Sequence, residues 1–171
     1  MLKKPGLRII KTGLAVLISL IISELRPGKG LAFYSAIAAV ICMQQNFNQT
    51  YTKGINRIIG TIFGGFVGLI YLIAIPEGSI PRMVDYLIIT LVATVIIWIM
   101  ANINRKDAVS IAAIVFMSIT INHANDPAGL PLPFALNRTL DTLIGVVVAM
   151  FVNYIDFKIR KEEEKLFIDK D

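Results

Sequence analysis

Charge is scarce in this chain: Asp, Glu, Lys and Arg make up 17% of its 171 residues, where a soluble domain carries about 25% to keep its surface in water. That shortage argues against a soluble globular protein. Cysteine occurs once, at Cys42, which excludes an internal disulfide framework, and histidine once, at His123, which leaves little for a metal site. The net charge of +5 raises nucleic acid as a partner. However, the basic residues stand between long apolar runs and not on an aromatic-interleaved surface, so nucleic acid is set aside. No nucleophile elbow or metal spacing occurs, and Gly28-Lys29-Gly30 lacks the spacing of a phosphate-binding loop. The chain is therefore read as neither an enzyme nor a cofactor binder.

Apolar residues are what it has in excess, 56% of the total, with a mean hydropathy of +0.70. A hydrocarbon core about 30 Å thick takes about 20 residues of helix. Six apolar runs satisfy or approach that length, at 9–25, 31–43, 58–75, 83–101, 108–121 and 140–155. Polar or Pro/Gly-containing breakers lie between them at 26–30, 44–56, 76–78, 102–107 and 126–133. The runs are continuously apolar, not alternating, which excludes strands of an outer-membrane barrel. The opening Met1-Leu2-Lys3-Lys4 mimics a signal peptide, but no small-x-small site closes it and five further runs follow, so it is read as a retained first helix. The expected fold is all-α: an integral membrane bundle of six transmembrane helices over 1–157, with a charged cytoplasmic tail over 158–171. Lys3, Lys4, Arg8, Lys11, Lys53, Arg57, Arg105, Lys106 and the basic residues of the tail fall on one side of such a bundle. Only Arg26, Lys29, Arg82 and Arg138 fall on the other. The positive-inside rule puts both termini in the cytoplasm. A four-span count would require re-entrant second and fifth runs.

The segment 56–64, Asn-Arg-Ile-Ile-Gly-Thr-Ile-Phe-Gly, recurs 81 residues later at 137–145 as Asn-Arg-Thr-Leu-Asp-Thr-Leu-Ile-Gly. Three spans per unit is an odd number, so the halves, about 1–77 and 78–157, are expected in opposite orientations as an inverted repeat. The two shortest runs, the second and the fifth, occupy corresponding positions, and paired short segments point to a site at the repeat interface. The second run ends in Gln44, Gln45 and Asn46, and the fifth in Asn122, His123, Asn125 and Asp126; ordinary helix-end polarity is the plainer explanation of each taken singly.

Arg57 and Arg138 occupy matching positions at the starts of the third and sixth runs, expected near opposite membrane faces. A charge at membrane depth costs at least a few kcal/mol and is a functional candidate by default. A guanidinium grips a carboxylate through two parallel hydrogen bonds, which suits an organic acid. Asp141 lies three residues after Arg138, where the two can pair on one helix face. Asn56, Asn137, Thr61, Thr142, Gln44 and Asn122 complete the candidate substrate-binding set. Interfacial anchoring is the competing reading of both arginines and the preferred one for Lys11. Gly60, Gly64 and Gly68, with Gly145 in the second half, mark faces on which another helix can come close. Packing inside the bundle is favoured there over a face for a second molecule.

The run Arg57-Ile-Ile-Gly60-Thr61 with Gly64, its counterpart Asn137-Arg138 with Asp141 to Gly145, and the opening 10–15 resemble the bacterial aromatic acid exporter family, within the wider group related to fusaric acid resistance proteins. The resemblance implies a multi-pass protein of the bacterial inner membrane that exports small aromatic carboxylic acids. The reading adds proton coupling, with Asp141 as the titratable group. Many relatives continue into a cytoplasmic helical domain, and larger ones carry two membrane modules. This chain, to Asp171, is accordingly expected to be a membrane module that pairs with a second copy. The alternative is a membrane scaffold or subunit that transports nothing and packs through its small-residue face.

Overall fold

In a computed structural model, residues 6–26, 32–76, 78–103, 106–122 and 130–168 are described, the side chains of 106 and 162–168 excepted. His123, Asn125, Asp126, Lys3, Lys4, Lys29 and Arg105 lie outside the described residues. Among the described residues all regular structure is helical. The order is α1 (Leu7–Leu25), α2 (Ala32–Cys42), α3 (Phe47–Ala74), α4 (Arg82–Asn102), α5 (Lys106–Asn122) and α6 (Pro131–Ile168). By length and composition α3, α4 and the Pro131–Lys161 part of α6 are able to cross a membrane. Helix α1 is 19 residues long but carries Arg8, Lys11 and Glu24. At 1.5 Å per residue α2 covers only about 16 Å.

Two boundaries differ from the sequence expectation. The stretch 44–56, expected as a breaker, is mostly helix, because α3 starts at Phe47. Its inner face is satisfied by protein partners: Thr50 is fully buried, and its hydroxyl accepts hydrogen bonds from the Gln44 amide and the Asn153 side chain, while Gln45, Asn46, Asn48 and Gln49 are exposed. The sixth helix starts at Pro131, nine residues before its apolar run. Pro131 and Pro133 sit in its first turn, where a missing N–H removes no intrahelical bond.

In α1 and α3 the faces turned inward are mostly small or polar and the faces turned outward large and apolar, whereas α4 and α5 bury Ile96, Met100, Phe116 and Ile119. Helix α1 buries Lys11, Ala15, Ser19 and Ser23 and exposes Leu14, Leu17 and Ile21. Helix α3 buries Gly60, Thr61, Gly64 and Gly68 and exposes Ile62, Phe66 and Ile73. In water an apolar belt of this extent would drive aggregation. In lipid it is the natural exterior, and close packing of small residues holds the helices together.

Helices α3 and α6 pack on each other at the centre. Helix α2 packs on α6 and α5 on α3, so the middle helix of each half lies against the third helix of the other. Helix α1 leans on α2 and α6, and α4 on α5. A Cβ on Gly60 would come within 2.7 Å of the Ala108 carbonyl oxygen, and one on Gly64 would overlap that of Ala112. The Gly60–Gly64–Gly68 face is thus covered by α5, as the packing reading expects. Gly145 plays the same part for α2, with its α-carbon pressed on the Ser35 carbonyl.

Candidate functional site

The antiparallel sense of α3 and α6 follows from their neighbours. Gly54 lies against Val146 and Met150, and Gly65 against Thr139. Between these points the repeat-matched Thr61 and Thr142, both fully buried, come level with each other. Arg57 stands one turn before Thr61 and Arg138 one turn before Thr142. The arginines are therefore offset toward opposite ends of the bundle by on the order of 10 Å along its axis.

The apolar runs place both arginines at their starts, whereas the helices that carry them begin earlier. Arg57 is ten residues into α3 and Arg138 seven into α6, and only 7% and 5% of their surfaces remain exposed. Each guanidinium charge acts on the other. Arg138 is held by neutral groups: Nε donates to Ser118 Oγ (2.9 Å), Nη1 donates to Thr142 Oγ1 (2.6 Å), and the guanidinium carbon lies 3.2 Å from the centre of the Tyr34 ring. Ser118 and Asn122 both donate to the Tyr34 hydroxyl, at 3.1 and 3.0 Å. Asn122 therefore belongs to this cluster. Arg57 lies near the Cys42 thiol. Its Nε and the hydroxyl of Thr61 are buried with no hydrogen-bond partner among the described residues.

The expected Arg138–Asp141 pair is not formed. Asp141, fully buried, pairs instead with Arg26 at 3.0 Å. Three residues along a helix is a rotation of about 300°, and here it turns Asp141 toward the end of α1 while Arg138 turns toward α2 and α5. Asp141 still acts electrostatically on Arg138. Neither Arg57 nor Arg138 has an ion pair among the described residues.

The other candidates scatter. Asn56 donates to Asp107 at 3.5 Å, beside a Lys53–Asp107 pair. Asn137 is half-buried outside the Arg138 cluster. The Gln44 side chain donates to its own helix at the Ile41 carbonyl.

Lys11, expected as an interfacial anchor, is 7% exposed and forms a part-buried ion pair with Asp156 at 2.8 Å. It also donates to Asn153 at 2.8 Å, and Asn153 donates to Thr50 and to the Gln44 carbonyl. The network ties α1, the α2–α3 corner and α6 together. Its signal in the sequence is a lysine inside one apolar run and an Asn/Asp pair three residues apart at the end of another. Charge at those depths requires a partner.

Two clefts open at the bundle ends. One of about 240 Å³ is lined by Tyr71, Asp85, Arg82, Tyr86 and Thr120, with the Tyr71 hydroxyl donating to Asp85. The other, about 250 Å³, lies beside Phe47, Asp156, Phe157 and Arg160. No cluster of metal-ligating residues occurs among the described residues.

Residues 14–152 match the family described as fusaric acid resistance protein-like. No curated protein and no solved structure matches the chain.

Proposed function

The chain belongs to the fusaric acid resistance protein-like family, and on that premise we propose that it is a bacterial inner-membrane exporter of small aromatic carboxylates. The observation that carries the reading is two arginines buried inside a bundle with an apolar exterior, without an ion-pair partner among the described residues. A charge withdrawn from water into such surroundings is strongly destabilising unless an opposite charge meets it. A carboxylate passing between α3 and α6 supplies that charge. It would meet the open Nε of Arg57 and the Thr61 hydroxyl on one side and Arg138 on the other.

The proposed architecture is six spans in two inverted three-helix units with both termini cytoplasmic. The exchange of α2 and α5 between halves, and the level placing of Thr61 and Thr142, support a two-fold relation between the units. Export is proposed to be proton-coupled, with Asp141 releasing Arg26 when protonated. A scaffold role would have to use a face other than Gly60–Gly64–Gly68, which α5 covers.

The test is uptake of labelled benzoate into inverted membrane vesicles containing only this protein. Arg57→Gln and Arg138→Gln are each expected to abolish uptake while leaving insertion and helix content intact. Undiminished uptake by both variants would remove the arginines from the pathway. Asp141→Asn is expected to flatten the dependence of uptake on the pH gradient.

A further inference from the structure

We propose that the cleft of about 250 Å³ between the start of α3 and the end of α6 is a second binding site, which takes a planar aromatic carboxylate before it reaches the buried arginines. This inference rests on the export reading, which places that end of the bundle in the cytoplasm.

The cleft combines a flat apolar wall with a surplus cation. The rings of Phe47 and Phe157 stack with centroids 6.0 Å apart and planes 26° from parallel. Phe157 is half exposed, so the stack is open to a third ring. Aromatic rings pair best in such offset or edge arrangements. Asp156 also lines the cleft, and alone it would repel an anion. Its charge is met by Lys11 at 2.8 Å from within the bundle, which leaves Arg160 in excess. Arg160 reaches Asp156 at 3.2 Å, but its side chain is 61% exposed. An ion pair in water holds weakly, so the guanidinium is free to turn to a ligand carboxylate and offer its two-pronged donor face. Asn46 and Asn48 at the rim are exposed and supply further amide donors. An interfacial aromatic belt accounts for Tyr51 and Tyr154. Both tyrosines touch Phe47, Tyr154 edge-on at 5.5 Å, so Phe157 is the ring of this cluster that lines the cleft with its face open beside amides and a guanidinium.

The experiment measures binding of benzoate to the full chain in nanodiscs by saturation-transfer NMR. Cyclohexanecarboxylate, with the same charge and no flat ring, serves as the comparison. In the Arg57→Gln background, which weakens the buried site, benzoate is expected to bind several-fold tighter than cyclohexanecarboxylate. Adding Arg160→Gln is expected to weaken benzoate by about tenfold, since a hydrogen bond to a charged group is lost. Adding Phe157→Leu is expected to weaken it by about threefold, the share of one ring contact. Arg160 is mostly exposed and Phe157 half exposed, so an unchanged melting temperature confirms the fold; if Arg57→Gln does not fold, the same two changes are read in the otherwise unaltered chain. Benzoate binding indifferent to both changes, or equal binding of the two acids, overturns the inference. Failure of the export reading has a different signature: the cleft binds benzoate but vesicles take none up.

Discussion

Arg138 shows what a guanidinium does here that an ammonium cannot. It donates in two directions, to Ser118 and Thr142, and lies flat on the Tyr34 ring. Lysine is a point charge without the fork or the stacking plane. Arg138→Lys is therefore expected to retain only part of the vesicle uptake, with a raised apparent KM for benzoate. Lys11 makes a separate prediction about stability. Lys11 holds Asp156 from within the bundle, and removing it leaves that carboxylate only the exposed Arg160, at a cost of about 2 kcal/mol for the lost charged hydrogen bond. Lys11→Met is expected to lower stability by about that amount in a denaturant titration of the folded protein in detergent. The double change Lys11→Met with Asp156→Leu is expected to recover most of the loss. Equal losses in the single and double variants would show that the pair contributes nothing specific. The role of Lys11 was hidden in the sequence because its partner is on the last helix, and a linear reading sees only a cation near a terminus. The repeat drew notice to Arg57 and Arg138, but their place inside α3 and α6 was hidden, because both helices start well before their apolar runs.

Among the helices, closeness is set by glycine. Gly145 meets the Ser35 carbonyl so tightly that even a methyl group overlaps it, and overpacking of a filled interface costs about 1–3 kcal/mol. Gly145→Ala is expected to destabilise the protein by that amount, as a lowered midpoint of thermal unfolding. At Gly13, where a Cβ meets nothing within 4 Å, Gly13→Ala is expected to leave the midpoint unchanged or raise it slightly, since alanine is the better helix former. All six helices could be read from the apolar runs, because a long apolar run between polar breakers announces a helix by composition; three of them are long and apolar enough to cross a membrane. The start of α3 could not. Thr50 and Asn56 look like loop residues in isolation, and only the approach of Asn153 and Asp107 gives their polar groups partners within a helix. The facing of Asp141 was also illegible, since sequence spacing fixes which side of α6 it occupies but not which neighbour waits there.

For the molecule as a whole, the proposed orientation has a direct check. With Cys42 replaced by alanine, cysteines introduced at Ser79, in the α3–α4 connection, and at Lys161, late in α6, are expected to label from opposite sides of the membrane. Labelling from one side would overturn the six-span arrangement. The length of α6 carries a mechanical consequence. Thirty-eight unbroken residues make a rod of about 57 Å, nearly twice the depth of the hydrocarbon layer. Arg138 sits near one end, and Ile168 lies about 45 Å farther along the same axis. A helix of that length cannot fit within the hydrocarbon layer at any ordinary tilt, so part of it stands outside the layer, and any change of tilt about the arginine is magnified along an arm of about 45 Å.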